Sequence, residues 1–514
     1  MKYILAHDLG TSGNKATLFP LDGSPATSSL FEYPTNYPFT NAVEQDPNDW
    51  WKAVCVSSQR LLEKTGANPN DIAGMSFTGQ GMACLMVDRD GNPLGNAMIW
   101  ADSRSIKEEA EIERRIGKEK FYRTTGHRIS ASYAPPKLMW AKENNGDAFR
   151  KTYKILQPKD YIILKLTGNF VSEYSDANMA GLLDINNLKW AVDILKELGI
   201  PEGILPDLYP STAQVGKITE KASREIGLPQ GIPVIAGGGD GSCSTAGAGV
   251  YEEGSAYAAL GSSSWICMAT KEPFFDPEMR TFNLVHLDSK LITPCGTMQA
   301  AGFSYNWYRG TFFKKEAEEA KEKNQNPYEI MDKGVLESVP GAGGLFYLPY
   351  LLGERSPWWN LDARGAIIGL SMTSKKEDVS RAILEGVAMN LKVILDILET
   401  QDSSVKPEKI TMIGGGAKGK VWLQIFSDIW QKKLDVPRYT DDATSLGAAI
   451  CGGVGVGAFK DFSEAMRLNP VREVIVPNKE LAPRYKELYS IFTDAYSSLT
   501  GVYKRLAEYR RNTV

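Results

Sequence analysis

The chain is poor in the residues that build metal clusters and disulfide frameworks. Its 514 residues hold six cysteines, none in CxxC spacing, and three histidines, His7, His127 and His286. Such an inventory assembles no zinc signature, and so few cysteines suit a reducing compartment. A surplus of positive charge is missing as well. Lys+Arg 58 against Asp+Glu 62 leaves a net charge of -4, too little to grip a phosphate polymer, and no basic cluster offers itself to an anionic bilayer. Long apolar runs are also lacking. The opening MKYILAHDLG turns polar after four apolar residues, whereas a secretory segment needs roughly 7–15 and a membrane span about 20. The sequence therefore reads as a cytoplasmic, soluble protein with neither nucleic acid nor membrane as partner. What is present is an average globular composition, 43% hydrophobic and 23% charged, which excludes a disordered or collagen-like chain. The length allows roughly two to four domains.

Strand-like runs alternate with helical ones, the pattern of an α/β protein. Lys2 to His7 and Asn14 to Leu21 read as strands around the turn Asp8-Leu9-Gly10-Thr11-Ser12-Gly13. Ile72 to Phe77 and Met82 to Val87 follow as strands, and the charged stretch Ile106 to Arg123 reads as a solvated helix. Gly231 to Asp240 reads as a buried strand entering a glycine-rich turn. A break at Tyr251 to Gly254 then suggests a domain boundary. Beyond it, Leu260-Gly261-Ser262-Ser263 matches Leu9-Gly10-Thr11-Ser12, each between β-prone runs, with Ala259 where the first copy has Asp8. This is either a faint internal repeat or two unrelated hairpins. Lys409 to Ile413 reads as a strand, Val421 to Gln431 and Asp378 to Leu398 as helices, and the chain from about Phe462 as a polar helical extension.

Two turns rich in Gly, Ser and Thr, one per half, suit a polyphosphate clamped between two domains, because such turns expose successive backbone N–H groups. Asp8 stands beside the first turn, where magnesium, with its one or two carboxylates and several waters, would sit. Asp240 ends a run of three glycines after an apolar strand. It reads equally as a carboxylate at the mouth of a cleft and as the cap of a following helix. Gly414 to Val421 nearly spells a Walker A loop, but Val421 lacks the hydroxyl that motif requires, so a P-loop NTPase is rejected. No G-x-S-x-G elbow occurs, which argues against an α/β-hydrolase.

Taken together these segments resemble the FGGY family of carbohydrate kinases, within the actin/hexokinase/Hsp70-like superfamily, and within it the xylulokinase branch. The resemblance spans nearly the whole chain. It rests on Asp8 to Lys15, Glu44 to Pro47 with Asp49-Trp50-Trp51, Phe77 to Gln80, Ile99 to Arg104 and Pro136 to Trp140. In the second half it rests on Ala236 to Asp240, Pro349 to Pro357, Arg364-Gly365, Gly414 to Lys418 and Ser445 to Ala449. It implies two RNase H-like domains flanking a deep cleft, a sugar-binding domain over 1–250 and a nucleotide-binding domain over 251–460, with a helical extension over 461–514. It further implies transfer of the γ-phosphoryl group of Mg-ATP to a sugar hydroxyl, with ATP and Mg²⁺ as cofactors, and it is compatible with a homodimer.

By the same resemblance Asp240 is the base, Asp8 orients Mg²⁺, and both carboxylates stand near the metal. Thr11 and Ser12 approach the γ-phosphate, while Gly261, Ser262, Gly302, Asn306, Gly415, Gly416 and Lys420 hold the nucleotide. Gln80, Gly81, Met82, Asp102, Asp240 and Gly241 meet the sugar. Two positions depart from the xylulokinase pattern: Met82 stands for a histidine that touches the ketose, and Gly241 for an asparagine. D-xylulose remains the expected substrate, with another ketose, a polyol or a sugar acid (ribulose, erythritol, glycerol, gluconate) as the alternative. A non-catalytic actin-like regulator is the contrasting reading, and the sugar-side region together with Asp240 argues against it. Trp358-Trp359 is expected to pack at the interdomain surface.

Overall fold

The computed structural model describes residues 2–23, 26–400 and 406–513. Its first half is organised by a mixed sheet. The hairpin Tyr3–Leu9 (β1) and Gly13–Pro20 (β2) continues antiparallel into Thr27–Glu32 (β3). Helix Pro47–Thr65 (α1) then crosses the sheet. It starts on the Asp46 side chain, which accepts from the Asn48 N–H at 2.9 Å, followed by Pro47 at its first turn, and it ends at the left-handed Gly66, the usual start and stop chemistry. Ile72–Gly79 (β4) pairs parallel to β1. Helices Ala134–Asn144 (α2) and Tyr174–Met179 (α3) follow. Gln214–Lys217 (β5) and Pro233–Ile235 (β6) close the order β5-β6-β4-β1-β2-β3, and the short Gly238–Gly239 (β7) pairs with the end of β4. Helix Asp240–Gly247 (α4) leaves from there.

The second half repeats the plan. Ala256–Leu260 (β8) and Ser264–Met268 (β9) form the hairpin, joined on one side by Phe282–Val285 (β10) and Ile292–Met298 (β11). After Gly302–Phe312 (α5) and Lys376–Leu398 (α6), Lys409–Ile413 (β12) runs parallel to β8. Lys420–Trp430 (α7), Lys433–Pro437 (β13) and Ala443–Gly455 (α8) follow. Val471–Ile475 (β14) completes the order β10-β11-β9-β8-β12-β13-β14. The antiparallel hairpin flanked by a parallel strand therefore occurs in both halves, and the four-residue match marks the same turn in each. In the first, the Gly10 N–H donates to the Gly13 carbonyl at 3.0 Å; in the second, the Gly261 N–H donates to the Ser263 carbonyl at 3.0 Å.

Helices α4 and α8 cross between the two sheets. A Cβ on Gly452 would stand 2.8 Å from the Ser76 Cβ and 2.9 Å from Ile4, so a helix from the second half lies on the first sheet. Conversely, the α4 residue Thr245 donates to the Tyr257 hydroxyl of β8 at 3.3 Å.

Three local expectations are corrected. The charged stretch after Ile106 is two helices, Ile106–Ile116 and Lys118–Thr125, broken at Gly117, and it buries Ile112, Ile116 and Phe121 rather than lying wholly in solvent. The segment 461–514 is not helical throughout. Val471–Ile475 adds an edge strand antiparallel to β13 before the long helix Ala482–Thr513 (α9) begins. Trp358 packs within the second half. It stacks on Tyr496 of α9 with ring centroids 4.0 Å apart and donates to the Tyr350 hydroxyl at 2.8 Å. Trp359 does meet the first half, under the Arg128 guanidinium.

Candidate active site

β1, β4 and β7 end level with one another: Leu9 is paired with Gly79, and Gly79 with Gly239. Asp8 lies one residue before that edge and Asp240 one residue after it, on strands two places apart. At the usual strand spacing their backbones stand about 10 Å apart. Both side chains are half-buried. Burial and the charge of Asp8 push the Asp240 carboxyl up to about 6. Burial likewise raises Asp8, against the opposing pull of Lys15. The Gly241 N–H donates to Asp240 Oδ1 at 2.7 Å.

The three glycines before Asp240 are explained by packing. Gly237 has φ +74°, and a Cβ there would fall 1.9 Å from the Phe77 carbonyl oxygen; one on Gly239 would fall 2.3 Å from Met179 Sδ. Only glycine admits that approach and that backbone. Asp240 opens α4 itself and does not cap a helix starting at Ser242.

The first turn is braced from below. The Trp100 indole donates to Thr11 Oγ1 at 2.9 Å and Gln45 Nε2 donates to the Thr11 carbonyl at 2.6 Å, while Ser12 is exposed. Tyr33 donates its hydroxyl proton to the Gly10 carbonyl. Gln80 donates through Nε2 to Gln45 Oε1 at 2.7 Å, and its own Oε1 is buried without a partner. Gly81 is packed on Met179. Met82 has φ +61°, a left-handed backbone that bulky residues rarely adopt outside functional turns. Gly241 faces Leu284, 2.9 Å from where a Cβ would stand.

Asp102 lies beneath the Trp100 loop. It is fully buried, and both of its oxygens are taken: Oδ2 accepts from the Val43 N–H at 2.7 Å and from Arg104, and Oδ1 accepts from the Arg104 Nε at 3.0 Å. A carboxylate so enclosed braces the loop around Trp100.

In the second half, Gly261, Ser262, Gly302, Asn306, Gly415, Gly416 and Lys420 all line one cavity of about 1010 Å³. The α5 terminus meets the second turn there, since the Gly302 N–H donates to the Gly261 carbonyl and the Ala301 and Phe303 N–H groups to the Ser262 carbonyl, each at 3.0 Å. A Cβ on Gly302 would come within 2.5 Å of that Gly261 oxygen, whereas one on Gly415 would meet nothing within 4 Å. The Lys420 amine pairs with Glu473 of β14 at 3.0 Å. Sequence reasoning missed Phe303, Tyr305, Tyr328 and Trp422, which supply aromatic wall to the same cavity; such walls carry no spacing signal. A cavity this size, part apolar and part backbone N–H, suits a nucleotide.

Residues 3–247 match the N-terminal domain and residues 256–456 the C-terminal domain of the FGGY family of carbohydrate kinases. The chain belongs to the FGGY family of carbohydrate kinases. It is 30% identical to a xylulose kinase of Staphylococcus xylosus over 90% of this chain and 93% of that one. It is 31% identical to a gluconokinase of Bacillus subtilis over 90% of this chain and 89% of that one. Its structure resembles that of a ligand-bound xylulose kinase from Lactobacillus acidophilus, with a TM-score of 0.90 and 25% identity over 98% of this chain and 100% of that one. The enzyme is thus a sugar kinase, with ATP as phosphoryl donor. Among the described residues no helix is long and apolar enough to cross a membrane.

Proposed function

We propose that this kinase transfers the γ-phosphoryl group of ATP to a hydroxyl of a small sugar, D-xylulose giving D-xylulose 5-phosphate. The observation that carries the reading is the division of labour. Every second-half residue expected at the nucleotide lines one cavity, while the two half-buried carboxylates stand at the sheet edge of the first half. Asp240, held near pH 6 and so largely ionised at neutrality, accepts the hydroxyl proton. Gln80 Oε1, an unpaired buried acceptor, takes a hydrogen bond from another sugar hydroxyl. The Thr11–Ser12 turn and the Gly261–Ser262 turn present backbone donors to the phosphates from opposite sides.

The donor set also fits Mg²⁺. Among the described residues no three His, Cys, Asp or Glu cluster to hold a metal alone, and magnesium on a triphosphate needs only one or two carboxylates with water. Asp8 and Asp240 are the carboxylates that would hold it. When bound, the ion neutralises charge on the transferring phosphoryl group.

A sugar acid is the second reading. Met82 and Gly241 offer no side-chain hydrogen bond where the xylulokinase pattern has histidine and asparagine, and a gluconokinase is as similar to this chain as a xylulose kinase. Soluble kinase acting in the cytoplasm as a homodimer is the setting we infer. The deciding experiment is ADP release across D-xylulose, L-xylulose, the ribuloses, glycerol, erythritol and gluconate. D-xylulose should give the highest kcat/KM; gluconate leading would transfer the assignment to the sugar acid, and ADP from none would remove the catalytic reading.

A further inference from the structure

Lys137, on α2, is fully buried. Its ammonium donates to three backbone carbonyls from three separate segments: Met82 at 2.8 Å, Ile99 at 2.7 Å and Ser132 at 2.7 Å. An ammonium has three N–H donors and no acceptor, so the count of donors equals the count of carbonyls. A buried charge is costly unless so satisfied. Packing alone would be served better by leucine or methionine at this position, and the lysine therefore calls for an account.

Two of the three carbonyls belong to the candidate site. Met82 carries the left-handed backbone of the Gly81–Ala83 turn. That turn is gripped from its other side by Gln157, whose Oε1 accepts from the Ala83 N–H and whose Nε2 donates to the Ala83 carbonyl, both at 2.8 Å. Ile99 precedes Trp100, the residue whose indole holds Thr11. One ammonium thus ties the turn facing the sugar to the loop that braces the phosphate turn.

The geometry points to Lys137 as a positioning residue for sugar recognition: its three hydrogen bonds fix the Met82 turn and register it against the Trp100–Thr11 brace. This rests on the reading of the Gln80–Met82 turn as the sugar's contact. The charged and titratable groups facing the ammonium are Asp102 and Arg104 of the adjoining loop and the Cys84 thiol. Burial lowers the lysine to about 7, the Asp102 charge opposing. A neutral amine has two N–H donors in place of three, so one carbonyl is released as the proton leaves.

The test is steady-state kinetics on the intact enzyme, wild type beside Lys137→Met and Lys137→Arg, with sugar and ATP varied separately. Wild-type turnover of a sugar tests the functional reading; the variants test the role of the lysine. Lys137→Met should raise KM for the sugar by about ten- to a hundredfold, the loss of hydrogen bonds to a charged donor, with KM for ATP within about twofold. Lys137→Arg, whose planar fork cannot reach three carbonyls set around an ammonium, should not restore it. Wild-type KM for the sugar should also climb on the alkaline side of about pH 7 while KM for ATP stays level, a readout that survives even if the variants do not fold. A sugar KM that is flat with pH, unchanged in Lys137→Met, or rising in step with that of ATP overturns the proposal. A wild type inert on every sugar overturns it together with the functional reading.

Discussion

Gly247 of α4 and Gly447 of α8 lie against one another's helix backbones. A Cβ on Gly247 would stand 1.8 Å from the Ala443 carbonyl oxygen, and one on Gly447 would stand 1.9 Å from that of Cys243. The contact is reciprocal, and each glycine is what lets the other helix come so close. The pair sits where α4 and α8 cross between the two sheets, so this crossing holds the two halves together.

Gly447→Ala should therefore cost about 3 kcal/mol of stability or more, since backbone rather than a flexible side chain must yield. Thermal unfolding checks it, with Gly501→Ala as the control. A Cβ at Gly501, in α9, would meet nothing within 4 Å, and alanine there should raise stability by about 0.5–1 kcal/mol.

Asp240→Asn should lower kcat by about 10²–10⁴-fold, the worth of a general base, with little change in KM for ATP. A coupled ADP assay measures both. Turnover near the wild-type rate would take Asp240 out of the proton-accepting role.

The pH dependence follows from the same carboxyl. A base works when ionised, and the raised value of about 6 means that activity is present above that pH and lost below it. The logarithm of kcat/KM should fall with unit slope under about pH 6, where an unperturbed aspartate would hold activity down to about 4.

On the nucleotide side, Gly415 and Gly302 separate binding from folding. Gly415→Ala should leave the melting temperature unchanged, because its Cβ meets open cavity, while raising KM for ATP about tenfold by taking the nucleotide's space. Gly302→Ala should lower both stability and ATP affinity, because its Cβ collides with the Gly261 carbonyl.

Without sugar the enzyme should release ADP slowly, and sugar should accelerate release, since closure of the cleft excludes water from the phosphoryl group. Equal rates with and without sugar would argue that the halves do not close.

Much of this arrangement is legible in the chain. The first hairpin and β12 announce themselves by apolar runs ended by turn residues, and the shared Leu-Gly-Thr/Ser-Ser string marks the equivalent turn of each half. The seven residues expected at the nucleotide line one cavity. What stays hidden depends on contacts between distant segments. Nothing local says that Asp102 accepts from the distant Val43 N–H, or that Lys137 points inward to three carbonyls. β14 escapes notice because an edge strand with half-exposed residues has no strong apolar pattern. The glycine run before Asp240 is conspicuous, yet its cause, the nearness of Phe77 and Met179, belongs to tertiary packing.

The placement of α8 on the first sheet means that the two halves are not separable modules. A polypeptide truncated after Val250 would keep every strand of its own sheet and still leave Ile4, Ser76 and Ile235 without the helix that covers them. Such a fragment would be sticky, and supplying residues 251–514 in trans should be needed to recover it in a tractable form.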